Sequence, residues 1–173
     1  MKELQHYDKA AHNFYRKQSV LSLPIYGWDI FSKYFQKVCD NLSDLVVLKN
    51  ISEEKAWENR FPFEKEIIQK KHVIVVTDAE LNIVHATKNI FDMNGYMPDE
   101  ILGKKPKIFQ GAETCKETAS EISKAVKNKQ AFEAVILNYR KDGSTYNCWI
   151  KGAPIRNKKG EVVNFIAFER EVA

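Results

Sequence analysis

Residues 131–171 read AFEAVILNYRKDGSTYNCWIKGAPIRNKKGEVVNFIAFERE. Apolar and β-branched runs alternate here with two glycine-containing turns, Arg140–Gly143 and Asn157–Gly160. This is the pattern of a three-stranded meander, with glycine supplying positive φ in each turn. The expected strands are Ala131–Tyr139, Thr145–Ala153 and Glu161–Glu171. Side chains alternate across a strand, so each strand presents two sets. Ala134, Ile136 and Asn138 share one face of the first strand. Asn147, Trp149 and Lys151 share a face of the second, and Phe165, Ala167 and Glu169 a face of the third. The Arg140–Gly143 turn is expected to place Asn138 roughly opposite Asn147 and to leave Lys151 and Glu169 as diagonal neighbours.

Working towards the N-terminus, Thr114–Lys129 reads as an amphipathic helix, with Thr118, Ile122, Ala125 and Val126 on one side. Pro98–Gly103 opens with proline and acidic residues and ends on glycine, a short helical turn. Lys88–Asn94 is another, ended by Gly95. Val73–Val76 and Asn82–Ala86 are short strands joined by a turn at Thr77-Asp78. Residues 1–70 read as helix. Tyr7, Ala10, Ala11, Phe14 and Tyr15 form one stripe before a break at Pro24, and Trp28–Cys39 form a second. Leu42–Ile51 is more irregular. Ser52 looks like the cap of a further helix towards Arg60, and Phe63–Lys70 resumes after Pro62.

Composition excludes several function classes. The 27 Lys and Arg are interleaved with 23 Asp and Glu, net +4. No one-sided basic stripe for nucleic acid is present. The three cysteines, Cys39, Cys115 and Cys148, have no CxxC spacing and read as free thiols of a reducing cytoplasm. His6, His12, His72 and His85 share no ligand spacing, so no metal is expected. No apolar run is long enough to span a membrane, and the N-terminus lacks a signal-peptide core. No phosphate loop, HExxH or GxSxG motif points to an enzyme. A cytoplasmic protein without catalytic machinery is expected.

The order of two strands, short helices, a longer helix and a three-stranded meander resembles the PAS family, specifically its light-oxygen-voltage (LOV) branch, from about Ile74 to Arg170. Asn94-Gly95-Tyr96 through Gly103 is similar to the family's TGYS-xEE-hLG segment, where h is apolar. Gly103–Gly111 with Glu113-Thr114 is similar to GxNCRFLQGxET. Asn138–Gly143 with Asn147 matches NYxKDG…N, and Phe165–Glu169 falls where LOV domains have FhGhQ. The resemblance implies an α+β PAS fold, a five-stranded antiparallel sheet with short helices on one face, over residues 72–173. Residues 1–70 would form a helical cap or dimerisation region before it.

What the resemblance implies for the site is qualified by departures. The photoactive cysteine falls on Pro106, its neighbouring asparagine on Lys105, and the flavin-edge glutamine on Glu169. One phosphate-pairing arginine falls on Lys107 and the other near Ser123. Losing two charge-assisted contacts of roughly 1.5–3 kcal/mol each weakens flavin phosphate binding on the order of a hundredfold. The cofactor is therefore open, with flavin mononucleotide the candidate that the family implies. Thr77, Lys107, Gln110, Asn138, Asn147, Trp149, Lys151, Phe165 and Glu169 are the expected cavity residues. Two readings of that cavity stand: a pocket for a polar or aromatic molecule, or a space plugged by Trp149 and a buried Lys151–Glu169 ion pair. The other sheet face, expected to carry Val135, Leu137, Tyr139, Tyr146, Cys148, Ile150, Ile166 and Phe168, is apolar and needs a cover, supplied by the N-terminal helices or a second copy. The expected function is a stand-alone sensory module, acting as a homodimer on a downstream signalling protein not identified by the sequence. No output segment follows the last strand, so signalling is expected through binding. The alternatives are a noncovalent flavin redox or blue-light receptor, and a ligand-free association scaffold.

Overall fold

The computed structural model describes the backbone from residue 26 and side chains from residue 31. The stripe expected over Tyr7–Tyr15, the break at Pro24, and His6 and His12 lie outside the described residues. Helix α1 spans Tyr26–Glu54. A single π-helical turn, Lys65–Gln69, leads into strand β1, Val73–Asp78. There follow β2 (Ile83–Ala86), α2 (Ile90–Asn94), α3 (Pro98–Ile101), a 3-10 turn (Pro106–Phe109) and α4 (Lys116–Lys127). The meander closes the chain: β3 (Phe132–Tyr139), β4 (Thr145–Arg156) and β5 (Val162–Val172). The strands form one antiparallel sheet in the order β2-β1-β5-β4-β3. The α+β class with a five-stranded antiparallel sheet is as expected.

Backbone contacts group Asp40–Ala173 into one compact unit, apart from the residues up to Cys39. Within the larger unit the inner face packs against the short helices, and the outer face is covered over β1, β5 and the end of β4. On the inner face, Val73, Val75, Ile136 and Cys148 pack with Ile90, Met93, Ile101 and Phe109 from the short helices. On the outer face, Ile74, Val76, Ile155 and Ile166 pack against Leu48 of α1 and against Trp57, Phe63 and Ile67. This explains why Val73–Val76 is an unbroken β-branched run. Both sides of β1 are buried, so neither set of alternating positions is polar.

The segment between α1 and β1 is fastened by specific bonds as well as by area. Trp57 forms an isolated antiparallel bridge with Asn157, and its indole Nε1–H donates to Asn164 Oδ1 at 2.9 Å. Asn164 Nδ2–H in turn donates to the Thr77 carbonyl at 2.8 Å. The Phe61 ring lies 6.0 Å from that of Phe168 on β5. At the other end of the covered region, Asp44 of α1 accepts the Lys88 backbone N–H at 2.8 Å.

Two expectations fail locally. Leu42–Ile51 is not irregular but continues α1, and Ser52 does not cap a new helix. Its hydroxyl donates backwards to the Lys49 carbonyl, and Ala56, at φ 49°, ends the helical path. The outer sheet face is also less apolar than expected. Its β4 positions are Asn147, Trp149 and Lys151, beside the exposed Glu133 and Val135. No helix among the described residues is long and apolar enough to cross a membrane.

Leu48 is completely buried against the sheet. Leu48→Ala is expected to destabilise the protein by about 2–5 kcal/mol, read by urea denaturation. A chain starting at Glu64, which lacks the whole cover from Leu45 to Phe63, is expected to aggregate; a soluble monomer of unchanged melting temperature would contradict this.

Candidate functional site

Between the inner sheet face and the helices lies a cavity of about 690 Å³. That is within the usual range for small-molecule sites. Strand alternation builds its walls. β3 contributes Phe132, Ile136 and Asn138, β4 contributes Ile150, and β5 contributes Phe165, Ala167 and Glu169. β1 adds Val75 and Thr77, with Thr77 opposite Phe165 in the ladder. The 3-10 turn and α4 supply the roof through Pro106, Phe109, Ala119, Ile122 and Val126, with Gln110 at its edge. Gly152 leaves room for the Phe132 ring: a Cβ there would sit 2.4 Å from it.

The charges are unevenly placed. Lys105, Lys107, Lys116 and Lys127 line the cavity yet are exposed, so they form its rim. Among the described residues Glu169 is the one acidic group lining the cavity, and it is buried. Of the residues expected from the sequence, the cavity brings together Thr77, Lys107, Gln110, Asn138, Phe165 and Glu169.

Asn147, Trp149 and Lys151 are corrected: they point away from the cavity. Asn138 stands opposite Tyr146, and Ile136 opposite Cys148, so the inward residues of β4 are Tyr146, Cys148 and Ile150. Tyr139 stands opposite Thr145, one residue earlier on β4 than the expected register, and the turn between is closed by Arg140 N–H donating to the Ser144 carbonyl, with Asp142 Oδ1 accepting from both Ser144 N–H and Oγ–H. One residue of register moves every side chain to the other face. Trp149 instead donates from Nε1 to Glu133 at 3.0 Å, beneath the Arg170 guanidinium. Lys151 pairs with Glu133 at 3.8 Å in solvent, not with Glu169. The expected buried Lys151–Glu169 pair and the Trp149 plug are therefore absent.

A family model described as the PAS domain matches residues 71–173, more than half of the chain. The chain belongs to the PAS domain family. Among curated relatives it is 35% identical over 106 residues to Phototropin-2 of Oryza sativa subsp. japonica, covering 60% of this chain and 12% of that protein. It is 31% identical over 123 residues to Protein TWIN LOV 1 of Arabidopsis thaliana, covering 68% of this chain and 31% of that one. The chain thus spans less than a third of the length of these relatives. The dark structure of the aureochrome1 LOV photoreceptor is similar at a TM-score of 0.60 and 29% identity, over 67% of this chain and 86% of that one. The PAS domain of the fruit-fly ELK potassium channel is similar at 0.58 and 25% identity, over 66% and 98%.

Within this PAS cavity, Glu169 is electrostatically isolated. Among the described residues no Lys, Arg or His lies within ion-pairing distance of it. Its polar neighbour is the Cys148 thiol, 3.9 Å away, itself pushed up by burial and by that carboxyl. Burial raises Glu169 from 4.5 to about 7, only partly countered by the thiol. Further along the inner face, the buried Tyr146 hydroxyl and Asn94 Nδ2 make no well-formed hydrogen bond, although Asn94 and Asn138 lie close enough to Tyr146 to counter part of the upward push of burial on its hydroxyl. Tyr146 stands opposite Asn138, so three polar groups gather at that end.

Sequence reasoning missed the rim residues Lys105, Lys116 and Lys127, and the inward Tyr146 and Cys148. A usable signal existed: Tyr146-Cys148-Ile150 is the more apolar alternate set of β4, and the apolar set faces the core.

Glu169 binds its proton more tightly folded than unfolded. Its contribution to stability is therefore fully present below about pH 4.5 and is lost as pH rises through about 7, on the order of 3 kcal/mol. Glu169→Gln is expected to raise the melting temperature at about pH 8 and to leave it nearly unchanged at about pH 4.5. Equal shifts at both pH values in thermal denaturation would contradict the assignment.

Proposed function

We propose that this chain is a sensory PAS module whose cavity takes a small organic molecule, and that occupancy is relayed through β5 to the segment covering the outer sheet face. The observation that carries the reading is the cavity itself, largely apolar, with Asn138 and Glu169 on its walls and lysines at its rim. β5 supports the relay because its successive residues serve different layers. Glu169 faces the cavity, while Phe168 packs with the outer cluster and against Phe61. A ligand that shifts β5 changes the seat of the cover. Output then passes to a partner protein or a second copy of the chain in the cytoplasm, with no catalytic step in the module.

A second reading, noncovalent flavin binding, is favoured by the likeness to Phototropin-2 and by Gln110 and Asn138 in the cavity wall. Those amides would hydrogen-bond a flavin ring edge, and Lys105 and Lys107 would hold its phosphate. Flavin would supply light absorption and electron transfer. Glu169 is the residue that fits least, because an ionised carboxylate opposes the ring's carbonyl oxygens. Pro106 lines the cavity, whereas neither Cys115 nor Cys148 does.

The test is to denature the purified full-length protein and identify any released molecule by mass spectrometry, alongside Ala167→Phe, which fills the cavity. A bound molecule present in wild type and absent from a folded Ala167→Phe variant is expected. Its binding should alter amide exchange over residues 45–63. If the variant retains the molecule, the cavity is not the site. In protein loaded with flavin mononucleotide, blue light is expected to give no reversible cysteinyl adduct. Reversible bleaching abolished by Cys148→Ala would overturn that.

A further inference from the structure

Glu169 presents a carboxyl group to a largely apolar cavity and, among the described residues, has no cationic partner. It is 4% exposed. The ladder partners beside it, Val73 on β1 and Ile150 on β4, are apolar. The titratable groups facing it from the sheet are Cys148 and Tyr146 on β4, neither of which carries positive charge. From the helix side, the charged groups lining the cavity are the exposed lysines of its rim. An isolated buried carboxyl is a costly arrangement in the empty protein. It becomes favourable once a bound molecule brings a positively charged nitrogen to it, because a desolvated charge-assisted hydrogen bond is among the stronger polar contacts.

We propose that Glu169 is the specificity group of the cavity, selecting aromatic or apolar molecules whose inner end is a cationic nitrogen: an amine, an amidinium or a protonated heterocycle. The inference rests on the reading that the cavity takes a small molecule. The rim lysines complement the carboxyl. They disfavour a ligand with positive charge at its outer end and favour one with a carboxylate or phosphate there. The preferred ligand class is therefore dipolar, cationic inside and anionic outside, with an apolar body between. Because Glu169 must ionise to pair with the cation, affinity rises as pH passes upward through about 7.

The experiment is isothermal titration of the full-length chain with 4-amidinobenzoate and with its neutral-headed isostere, 4-carbamoylbenzoate. Both carry the same carboxylate, so the contribution of the rim cancels between them. At about pH 8 the amidine is expected to bind wild type at least about tenfold more tightly than the amide. The gap should close in Glu169→Gln and, independently of any substitution, in wild type at about pH 5. Equal affinity of the two probes for wild type, or a gap that persists in Glu169→Gln or at the lower pH, overturns the role of Glu169 and leaves the cavity as a ligand site. Failure of both probes to bind wild type overturns the inference together with the small-molecule reading.

Discussion

β5 is hydrogen-bonded along both edges, to β1 on one side and to β4 on the other. Its alternation therefore assigns the side chains of three strands to two layers at once. Phe165, Ala167 and Glu169 bring Thr77, Val75, Gly152 and Ile150 to the inner layer. Asn164, Ile166 and Phe168 bring Val76, Ile74, Ile155 and Ala153 to the outer one. The cavity and the covered face are consequences of that single division. No residue of these strands can be reassigned without moving a whole strand by one register step.

The division also explains how unlike chemistries coexist a few ångströms apart. Over β1 and β5 the outer layer is aromatic and packed, with Trp57, Phe61 and Phe63 stacked edgewise and face to face. Among its buried polar groups, Asn164 is fully partnered between Trp57 and Thr77, and Asp44 accepts the Lys88 backbone N–H, while His85 Nε2 makes no hydrogen bond. The inner layer is open and leaves polar groups short of partners at Glu169, Tyr146 and Asn94. Buried polar groups are normally satisfied, so these exceptions, together with His85 Nε2 beside Asp44 on the outer side, mark where the protein departs from maximal stability.

Much of this was legible in the amino-acid sequence. Strand and helix order followed from the period change at Val73, from Gly95 ending α2, and from the two turns of the meander. Thr77, Lys107, Gln110, Asn138, Phe165 and Glu169, expected at the cavity, line it. Asn147, Trp149 and Lys151 face the other way, because their faces depend on a single step of register across the hairpin, with Asn138 opposite Tyr146 rather than Asn147. Ser144 joins the loop through two bonds to Asp142, a local side-chain effect that glycine spacing does not report. The continuity of α1 through Leu42–Ile51 was hidden for a different reason. Asp44 sits on its packed side, and its carboxylate answers a backbone N–H of a segment 44 residues distant. A polar residue at a buried helical position reads as irregularity until its distant partner is known.

The pairing of β1 with β5 has a kinetic consequence. Val73 meets Glu169 and Thr77 meets Phe165, so the central ladder joins the first strand to the last. Such non-local closure is slow, since the intervening chain must be organised before the ladder rewards it. As the protein is synthesised, β1 and β2 can form a hairpin early, and the helices can collapse on them. The wall bearing Phe165, Ala167 and Glu169 arrives last. A molecule that fits the finished cavity therefore meets a complete site only after the terminal strand has docked. By binding there it would slow the reopening of the ladder, acting on the lifetime of the assembled state rather than on the speed of assembly.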